Sequence, residues 1–511
     1  MKSSMNVTLK RQQISKQIFT LSFFTKNSKT ILFSLISVLY VVAVFNSNGF
    51  HHPDEHFQLI EFAGIRAGWN SVRDLAWEYD YQIRPTLQPY IALIIVKTFS
   101  LFNMDDPYFL ASVLRALTAI FSIFAISLFI RSYKATIKNE FYLAFILLSF
   151  LLWFLPSINV RFSSETWAGL CLLSSLGLVE QDKSSKSYFF LIGLVLGLSF
   201  EFRFQMGLCI ASILLWLLII KKINLLKWFI IISGLSFVIA LCTVLDSFYY
   251  QTVVFTPYNY LKVNIIDKVS SLYGTEPWYY YLKIMFEAPS LIIGFMIVFS
   301  IVYLLITDYK NIILWCIFPF WVVHSIIPHK ELRFLFPLVN FIPILLIWTY
   351  ERVSKYRKIK NHFVLNMLII TAIIINIGGL FIIFKPAGNG SVNLAYYIHK
   401  NYSKNKPIEV YSTYVGPYSV GSSKGLIAKF YTNNEIDLHF IDSHFIHNIP
   451  TNKLIVIPKG FHKENRLLEK NGYKIHKESI PNWMSFLNKL YRIYNENHVL
   501  LLYTQESVEN I

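Results

Sequence analysis

The chain has 511 residues, of which 54% are hydrophobic and 17% aromatic, with a mean hydropathy of +0.46 and a formal net charge of +17. That composition excludes an ordinary soluble domain and describes a polytopic α-helical membrane protein. The excess Lys and Arg lies mostly in short loops between apolar runs, as membrane topology requires, and so argues against a nucleic-acid partner.

Residues 1–29 form a basic tail (Lys2, Lys10, Arg11, Lys16, Lys26, Lys29) that is expected on the cytoplasmic side. No small-residue cleavage site follows the first apolar run, so that run reads as a retained anchor. Runs of spanning character, about 20 residues, lie near 30–50, 108–131, 141–157, 166–180, 187–203, 207–222, 227–246, 288–306, 311–327, 333–350 and 362–385. A shorter run at 87–102 carries Lys97, and parity is best served if it is re-entrant or interfacial. Basic residues mark the cytoplasmic loops at 131–138, 183–186, 221–227, 310 and 352–360. An odd number of spans, eleven, then puts the C-terminus on the outer face. Cys171, Cys209, Cys242 and Cys316 all fall inside apolar runs and read as small packing residues. From residue 386 the composition becomes that of soluble sequence, with strand-like Ile408–Tyr411, Leu454–Ile457 and Val499–Tyr503 separated by helical stretches, so 386–511 is expected to be a small α/β domain. Gly416 to Gly421 (GPYSVG) is too loose for a nucleotide loop and reads as a turn.

Four charged or aromatic segments gather on the face opposite the basic loops. The first, within the loop 51–86, is His52-Pro53-Asp54-Glu55-His56-Phe57-Gln58. Pro53 suits the first position of a helix, with Asp54 and Glu55 in its first turn, where the dipole favours anions. Adjacent on a helix, the two carboxylates point about 100° apart, so they suit one base and one orienting group rather than a pair flanking one bond. The same spacing also describes an ordinary capped interfacial helix. His52 and His56, four apart, invite a metal reading together with His51, but the pattern lacks a completing motif and interfacial histidines explain it as well; no metal is assigned, a divalent ion is not excluded, and no cofactor is expected.

The second segment, Arg161 to Thr166, offers Arg161 and Glu165 as an internal salt bridge or as the polar wall of a cavity. The third, 246–287, is rich in aromatic, hydroxyl and amide groups, suited to sugar but equally to an interfacial belt. The fourth is His329-Lys330-Glu331-Leu332-Arg333. There Arg333 can hold phosphate oxygens bidentately, Lys330 as a point charge and His329 as a further donor, although a snorkelling helix end would look alike. Carboxylates in one segment and cations in another on the same face suggest a site for a phosphorylated lipid.

These segments resemble the glycosyltransferase family 22 α-mannosyltransferases of the GT-C superfamily. The matching residues are HPDE(x)FQ at 52–58, Thr-Pro-x-Asn-x-Leu-x-x-Asn at 256–264, Tyr-Gly-x-x-Pro-Trp-x-x-Tyr at 273–281 and His-Lys-Glu-x-Arg-Phe-x-x-Pro at 329–337, in that order. Trp77-Glu78 and Ile83-Arg84 look like the first loop of the branch that adds the third mannose to glycosylphosphatidylinositol anchors, and of its bacterial relatives, while Pro85, Leu332 and Tyr249-Tyr250 depart from the usual pattern.

The resemblance implies a GT-C-like fold of about eleven to twelve transmembrane helices, with residues 30–385 as the membrane glycosyltransferase domain; residues 386–511 carry no family motif, and composition and span parity make them a small domain on the non-cytoplasmic side. It implies an inverting transfer of mannose from a polyprenyl or dolichyl phosphate mannose to a glycan or glycolipid acceptor, giving an α-mannoside. The membrane would be the endoplasmic reticulum in a eukaryote or the inner membrane in a bacterium. Asp54 would then be the base with Glu55 orienting or substituting; His329, Lys330 and Arg333 would hold the donor phosphate. Trp77, Glu78, Arg84, Arg161, Glu165, Asn259, Tyr273 and Trp278 would contact sugar or acceptor. Two other classes fit the membrane pattern: a transporter or flippase of a lipid-linked sugar, which would show related halves and mid-membrane charges, and a non-catalytic scaffold. Asn389-Gly390-Ser391 and Asn401-Tyr402-Ser403 match the glycosylation triplet, which is frequent by chance.

Overall fold

The computed structural model describes residues 26–355, 362–402, 407–421, 425–432, 435–441, 453–491 and 494–505. Most of the N-terminal basic tail, together with Arg357, Lys358 and Lys360, lies outside the described residues. By length and composition, four helices among those described are able to cross a bilayer: Pro107–Thr136, Leu225–Tyr250, Leu332–Val353 and Leu365–Phe384. Leu291–Thr307 and Ile312–Ile326 make a fifth if the pair, bent by 117°, is one span. Other apolar runs fold into shorter pieces. The run at 141–157 breaks at Leu152, whose ψ of 121° is extended. The run at 87–102 gives the helix Leu87–Ser100, about 21 Å long at 1.5 Å per residue and short of the hydrocarbon thickness. Helix Leu365–Phe384 turns its apolar side chains outward, with almost none of them buried, and so presents a hydrocarbon surface.

Two features of packing set the charged segments against one another. Helix Ser164–Gln181 starts at Ser163, whose hydroxyl accepts from the Thr166 N–H, and it is buried along almost its whole length. Its Gly169 lies so close to the 3-10 turn Leu332–Phe341 that an added Cβ would sit 2.6 Å from Pro337 Cα. Glu165, one helical turn before Gly169, is thereby brought to Arg333 at the start of that turn. Asn159 and Asn340 exchange amide hydrogen bonds of 3.0 Å beside this contact and fix its register. On the other side, Arg115 of the helix Pro107–Ser132 donates to Val44 O and Asn48 Oδ1, both at 2.8 Å, and so fixes where the chain leaves its first helix, Lys26–Asn46, for the first loop.

The described C-terminal residues contain seven strands, β1 (Ile408–Ser412), β2 (Ser419–Val420), β3 (Leu426–Ile427), β4 (Ile436–Phe440), β5 (Leu454–Pro458), β6 (Lys474–Glu478) and β7 (Leu500–Thr504). Five form a mixed sheet in the order β4-β1-β5-β7-β6, in which β5 and β7 are buried on both faces, as their uninterrupted apolar sequence requires. The segment 416–421 bends at 416–418 and then forms β2, which pairs antiparallel with β3. The short helix Lys429–Thr432 reaches the first loop: the Phe430 N–H donates to Glu61 Oε1 at 3.0 Å, Tyr431 stacks on His56 at 5.1 Å, and Phe430 packs on Trp69 at 5.3 Å.

Because Gly169 leaves no room for a side chain against Pro337, Gly169→Ala is expected to push the 3-10 turn away and to cost about 1–3 kcal/mol, the usual price of overpacking. The same change is expected to lower activity by separating Glu165 from Arg333. Thermal unfolding of the detergent-solubilised protein checks it; an unchanged midpoint for both Gly169→Ala and Gly169→Leu would contradict the tight contact.

Candidate active site

The first loop enters a short helix, Asp54–Phe57, with Pro53 already helical at φ −51° and the two carboxylates in the first turn. Asp54 and Glu55 face different partners. Glu55 is buried, and its Oε2 accepts from Arg161 Nε at 2.9 Å and Nη2 at 2.6 Å. Arg161 also donates to the Ser47 carbonyl and hydroxyl, each at 2.9 Å, and to the Gly49 carbonyl. This pair ties the loop to the protein and leaves Glu55 an orienting group.

Asp54 is more open, its side chain 22% exposed, and its Oδ2 lies 2.6 Å from Arg333 Nη2 and 3.8 Å from Arg84 Nη2. His52 Nδ1 is 3.4 Å from its other oxygen. Burial raises the affinity of the Asp54 carboxyl for a proton, but Arg333, the hydrogen bond with His52 and then Arg84 outweigh it and hold the group well below the usual carboxylate range.

Arg333 is the hub of the site. Besides Asp54 it donates through Nη1 to Glu165 Oε1 at 2.9 Å and through Nε to Glu331. Glu165 receives a second guanidinium, Arg203 Nη1, at 2.7 Å. Both guanidinium carbons lie beside the Phe334 ring, at 5.0 Å for Arg203 and 5.4 Å for Arg333. Glu331 is bound by His329 Nε2 at 3.0 Å and approached by His52 Nε2 at 3.5 Å. Burial pushes the Glu331 carboxyl up, yet the hydrogen bonds from His329 and Arg333 bring it down to about 2. The bond to Glu331 raises the His329 imidazole against the opposing effect of burial. Lys330 Nζ donates to the carbonyls of Ile327 at 2.6 Å and Glu276 at 2.8 Å.

Two cavities meet here. One, of about 720 Å³, runs between apolar side chains such as Trp153, Phe154, Ile297, Trp321, Phe336 and Val339, and its mouth carries His51, Lys330 and Lys385. The other, of about 890 Å³, is lined by Asp54, Trp77, Glu78, Arg84, Arg203, Gln205, Tyr258, Tyr260 and Asn264. His52, Tyr273, His329, Glu331 and Arg333 line both, and so form a shared wall.

The remaining sequence candidates divide by place. Trp77 stacks on Tyr273 with centroids 5.4 Å apart, making an aromatic face on the second cavity. Glu78 accepts from Gln58 at 2.7 Å and Arg84 at 3.2 Å, while its buried Oε2 has no partner among the described residues. Arg161 and Glu165 do not pair with each other: Arg161 precedes the helix that begins at Ser164, so the two lack the spacing of helical neighbours and point to Glu55 and Arg333. Asn259 lines neither cavity and donates to the Gln82 carbonyl at 3.3 Å. Trp278 is 70% exposed and also lines neither, in keeping with a belt residue at a membrane surface. His56 is buried rather than interfacial, 2.7 Å from Glu61 and stacked against Tyr431. Arg203 and Lys385 join the site without having been singled out, and Glu331 and His51, quoted in their segments, join it without having been given a role there; the signal available was charge at the ends of apolar runs.

The Glu55–Arg161 pair is enclosed, so Arg161→Ala is expected to destabilise by about 3–5 kcal/mol, because it strands a buried carboxylate, whereas the double change Glu55→Leu with Arg161→Met should cost much less. Chemical denaturation of the three variants tests the ordering. For His329, whose proton is held more tightly in the folded chain, the stabilisation is fully present below about pH 6.5 and fades as pH rises through the raised value. For Asp54 and Glu331, both depressed, it is present above about pH 4 and is lost as pH falls through their folded values. The difference in unfolding midpoint between wild type and His329→Gln should therefore be largest near pH 5–6 and shrink toward pH 8; a constant difference would contradict the charged contact.

Comparison with known proteins places this geometry. The chain is similar to GPI alpha-1,2-mannosyltransferase 3 of Danio rerio, 24% identical over 364 residues, which are 67% of this chain and 63% of that protein. It is also similar to GPI mannosyltransferase 3 of Candida albicans, 36% identical over 159 residues, 30% of this chain and 29% of that protein. The chain spans less than two thirds of the length of these curated relatives. Its fold is that of ArnT from Cupriavidus metallidurans, solved bound to undecaprenyl phosphate, with a TM-score of 0.53 at 10% identity over 94% of this chain and 98% of that one. This likeness identifies the architecture as GT-C, a polytopic membrane fold. The sequence profile of the Alg9-like mannosyltransferase family matches residues 30–410, all four motif segments and the shared wall fall within that one continuous match, and the chain belongs to that family.

Proposed function

We propose that this protein transfers a mannosyl residue from a polyprenyl or dolichyl phosphate mannose to a glycan or glycolipid acceptor at the non-cytoplasmic membrane face, with inversion to an α-mannoside. The observation that carries the reading is the meeting of two cavities at a wall holding Arg333, with Asp54 bound to that guanidinium on the side of the second cavity. The apolar cavity suits the lipid tail of the donor; the second, with Trp77, Tyr260, Gln205 and Glu78, suits an acceptor sugar. The relatives' names favour a glycolipid acceptor.

In the step itself, the acceptor hydroxyl oxygen attacks the anomeric carbon, its proton passes to Asp54, and the bond from the anomeric carbon to the phosphate oxygen breaks with its electron pair leaving on the lipid phosphate. A phosphate leaving group needs no general acid. His329, Lys330 and Arg333 are placed to meet that phosphate, and Glu55 orients the loop. In the empty site Arg333 keeps Asp54 a weak base; if the guanidinium turns toward the phosphate, Asp54 loses its closest counter-charge and its proton affinity rises as the hydroxyl must be deprotonated. Trp77, Arg84 and Tyr273 would bound the acceptor, with Glu78 and Glu165 supporting Arg84 and Arg333.

The shorter apolar helices would complete eleven to twelve spans, with 30–385 as the catalytic domain and 386–511 a small α/β domain on the outer face, in the endoplasmic reticulum membrane of a eukaryote or the inner membrane of a bacterium. A transporter would need its polar groups at mid-membrane; here they flank a loop helix at the end of the first apolar helix.

Asp54→Asn is expected to lower transfer by about 10²–10⁴-fold, far more than the modest loss of thermal stability from its ion pair with Arg333 accounts for. Membranes given radiolabelled mannosyl phosphate lipid and candidate acceptors supply the readout. Undiminished transfer by Asp54→Asn would remove Asp54 as the base, and uptake of the lipid without product would favour transport.

A further inference from the structure

The shared wall has little positive charge to offer an incoming phosphate. Asp54, Glu78, Glu165 and Glu331 face only three guanidiniums, Arg84, Arg203 and Arg333, and every one of these is already in an ion pair. Lys330 is occupied by backbone carbonyls and His329 by Glu331 and the Gly274 carbonyl. The leaving lipid phosphate is a dianion, and a wall whose guanidiniums are each paired with a carboxylate gains little by exchanging one anion for another.

Lys330 keeps its charge but is held by carbonyls, and a second lysine lines the same apolar cavity. Lys385 lies at the end of the last apolar helix and lines the cavity mouth. Its ammonium sits over the Tyr494 ring, 4.4 Å from the centroid, and among the described residues no carboxylate pairs with it. The chain just beyond it is pinned to the start of the first loop. The Ala387 N–H donates to Asn48 O at 2.8 Å, and Gly388 approaches Phe50 so closely, at φ +56°, that a Cβ would sit 2.6 Å from the Phe50 carbonyl oxygen. This clamp brings Lys385 beside His51, which lines the same mouth and accepts the Gly388 N–H on Nδ1 at 3.5 Å, leaving Nε2 as the donor. Desolvation first, then Arg161 and Lys385, lowers the proton affinity of the His51 imidazole, so both of these cations lie near it.

We propose that Lys385, with the Nε2–H of neutral His51, forms an additional anion site at the mouth of the apolar cavity and grips the phosphate of a polyprenyl phosphate. The inference rests on the reading of that cavity as the donor's. It gives the lipid phosphate a cation that costs no existing ion pair, on the side of the wall away from Asp54, so the departing phosphate is drawn away from the base.

The test uses the full chain in nanodiscs, titrated with polyprenyl phosphate and, separately, with the uncharged polyprenol and with inorganic phosphate. Lys385→Gln is expected to weaken polyprenyl phosphate binding about 10- to 100-fold, the loss of one charge-assisted contact, with Lys385→Arg retaining most of it. His51→Gln, whose amide can still donate, should weaken it less. Polyprenol affinity should be the same in all variants, which separates loss of the anion site from misfolding. Wild-type binding with no change in Lys385→Gln would overturn the inference and leave the donor reading intact. Failure of wild type to bind polyprenyl phosphate would overturn both, and equal competition by inorganic phosphate would overturn the lipid assignment.

Discussion

The site is organised by one guanidinium. Arg333 joins Asp54 of the first loop, Glu165 at the start of a buried helix and Glu331 two residues before it, so three segments far apart in sequence converge on a single planar cation. Such a hub is geometrically demanding, because the fork of Arg presents its donors in fixed directions. The packing around it is correspondingly tight, with Gly169 against Pro337 and the paired amides of Asn159 and Asn340 setting the depth of the turn on which Arg333 stands.

The hub also sets the electrostatic state of the reaction centre. Ion pairing keeps Asp54 and Glu331 charged across the physiological range, so the wall between the cavities holds fixed charges rather than titrating ones. A base held this way is poised by whatever competes for Arg333, and a phosphate is the natural competitor. Donor occupancy and base strength would then be linked through one side chain. Lys385, with no carboxylate partner among the described residues and lining only the apolar cavity of the two, would supply charge without disturbing that linkage.

The C-terminal residues contribute through contact with the first loop. Phe430 and Tyr431 close over Glu61, His56 and Trp69, while the 385–388 segment pins the loop's entry at Asn48 and Phe50. A four-residue helix carrying Asp54 would have little stability alone. Its conformation is held from both ends, by Arg161 on Glu55 and by the stacking of Tyr431 on His56.

The family, the membrane character and the segments that supply the acid and base groups were legible in the sequence, because each depends on local order: apolar run length, basic loops, and short motifs in a set succession. The five strands of the C-terminal sheet include the apolar stretches at 408, 454 and 499 for the same reason. Which charge meets which was decided by the tertiary structure. Arg161 and Glu165 are four residues apart, yet a helix start between them sends one to Glu55 and the other to Arg333. Asn259 and Trp278 sit in matching motifs but face away from the cavities, and Lys385, with the look of a snorkelling helix end, turns into one of them. Sequence patterns record the period of a helix and the length of a span. Ion pairs and cavities depend on the approach of segments hundreds of residues apart, which only the packing of the whole chain fixes.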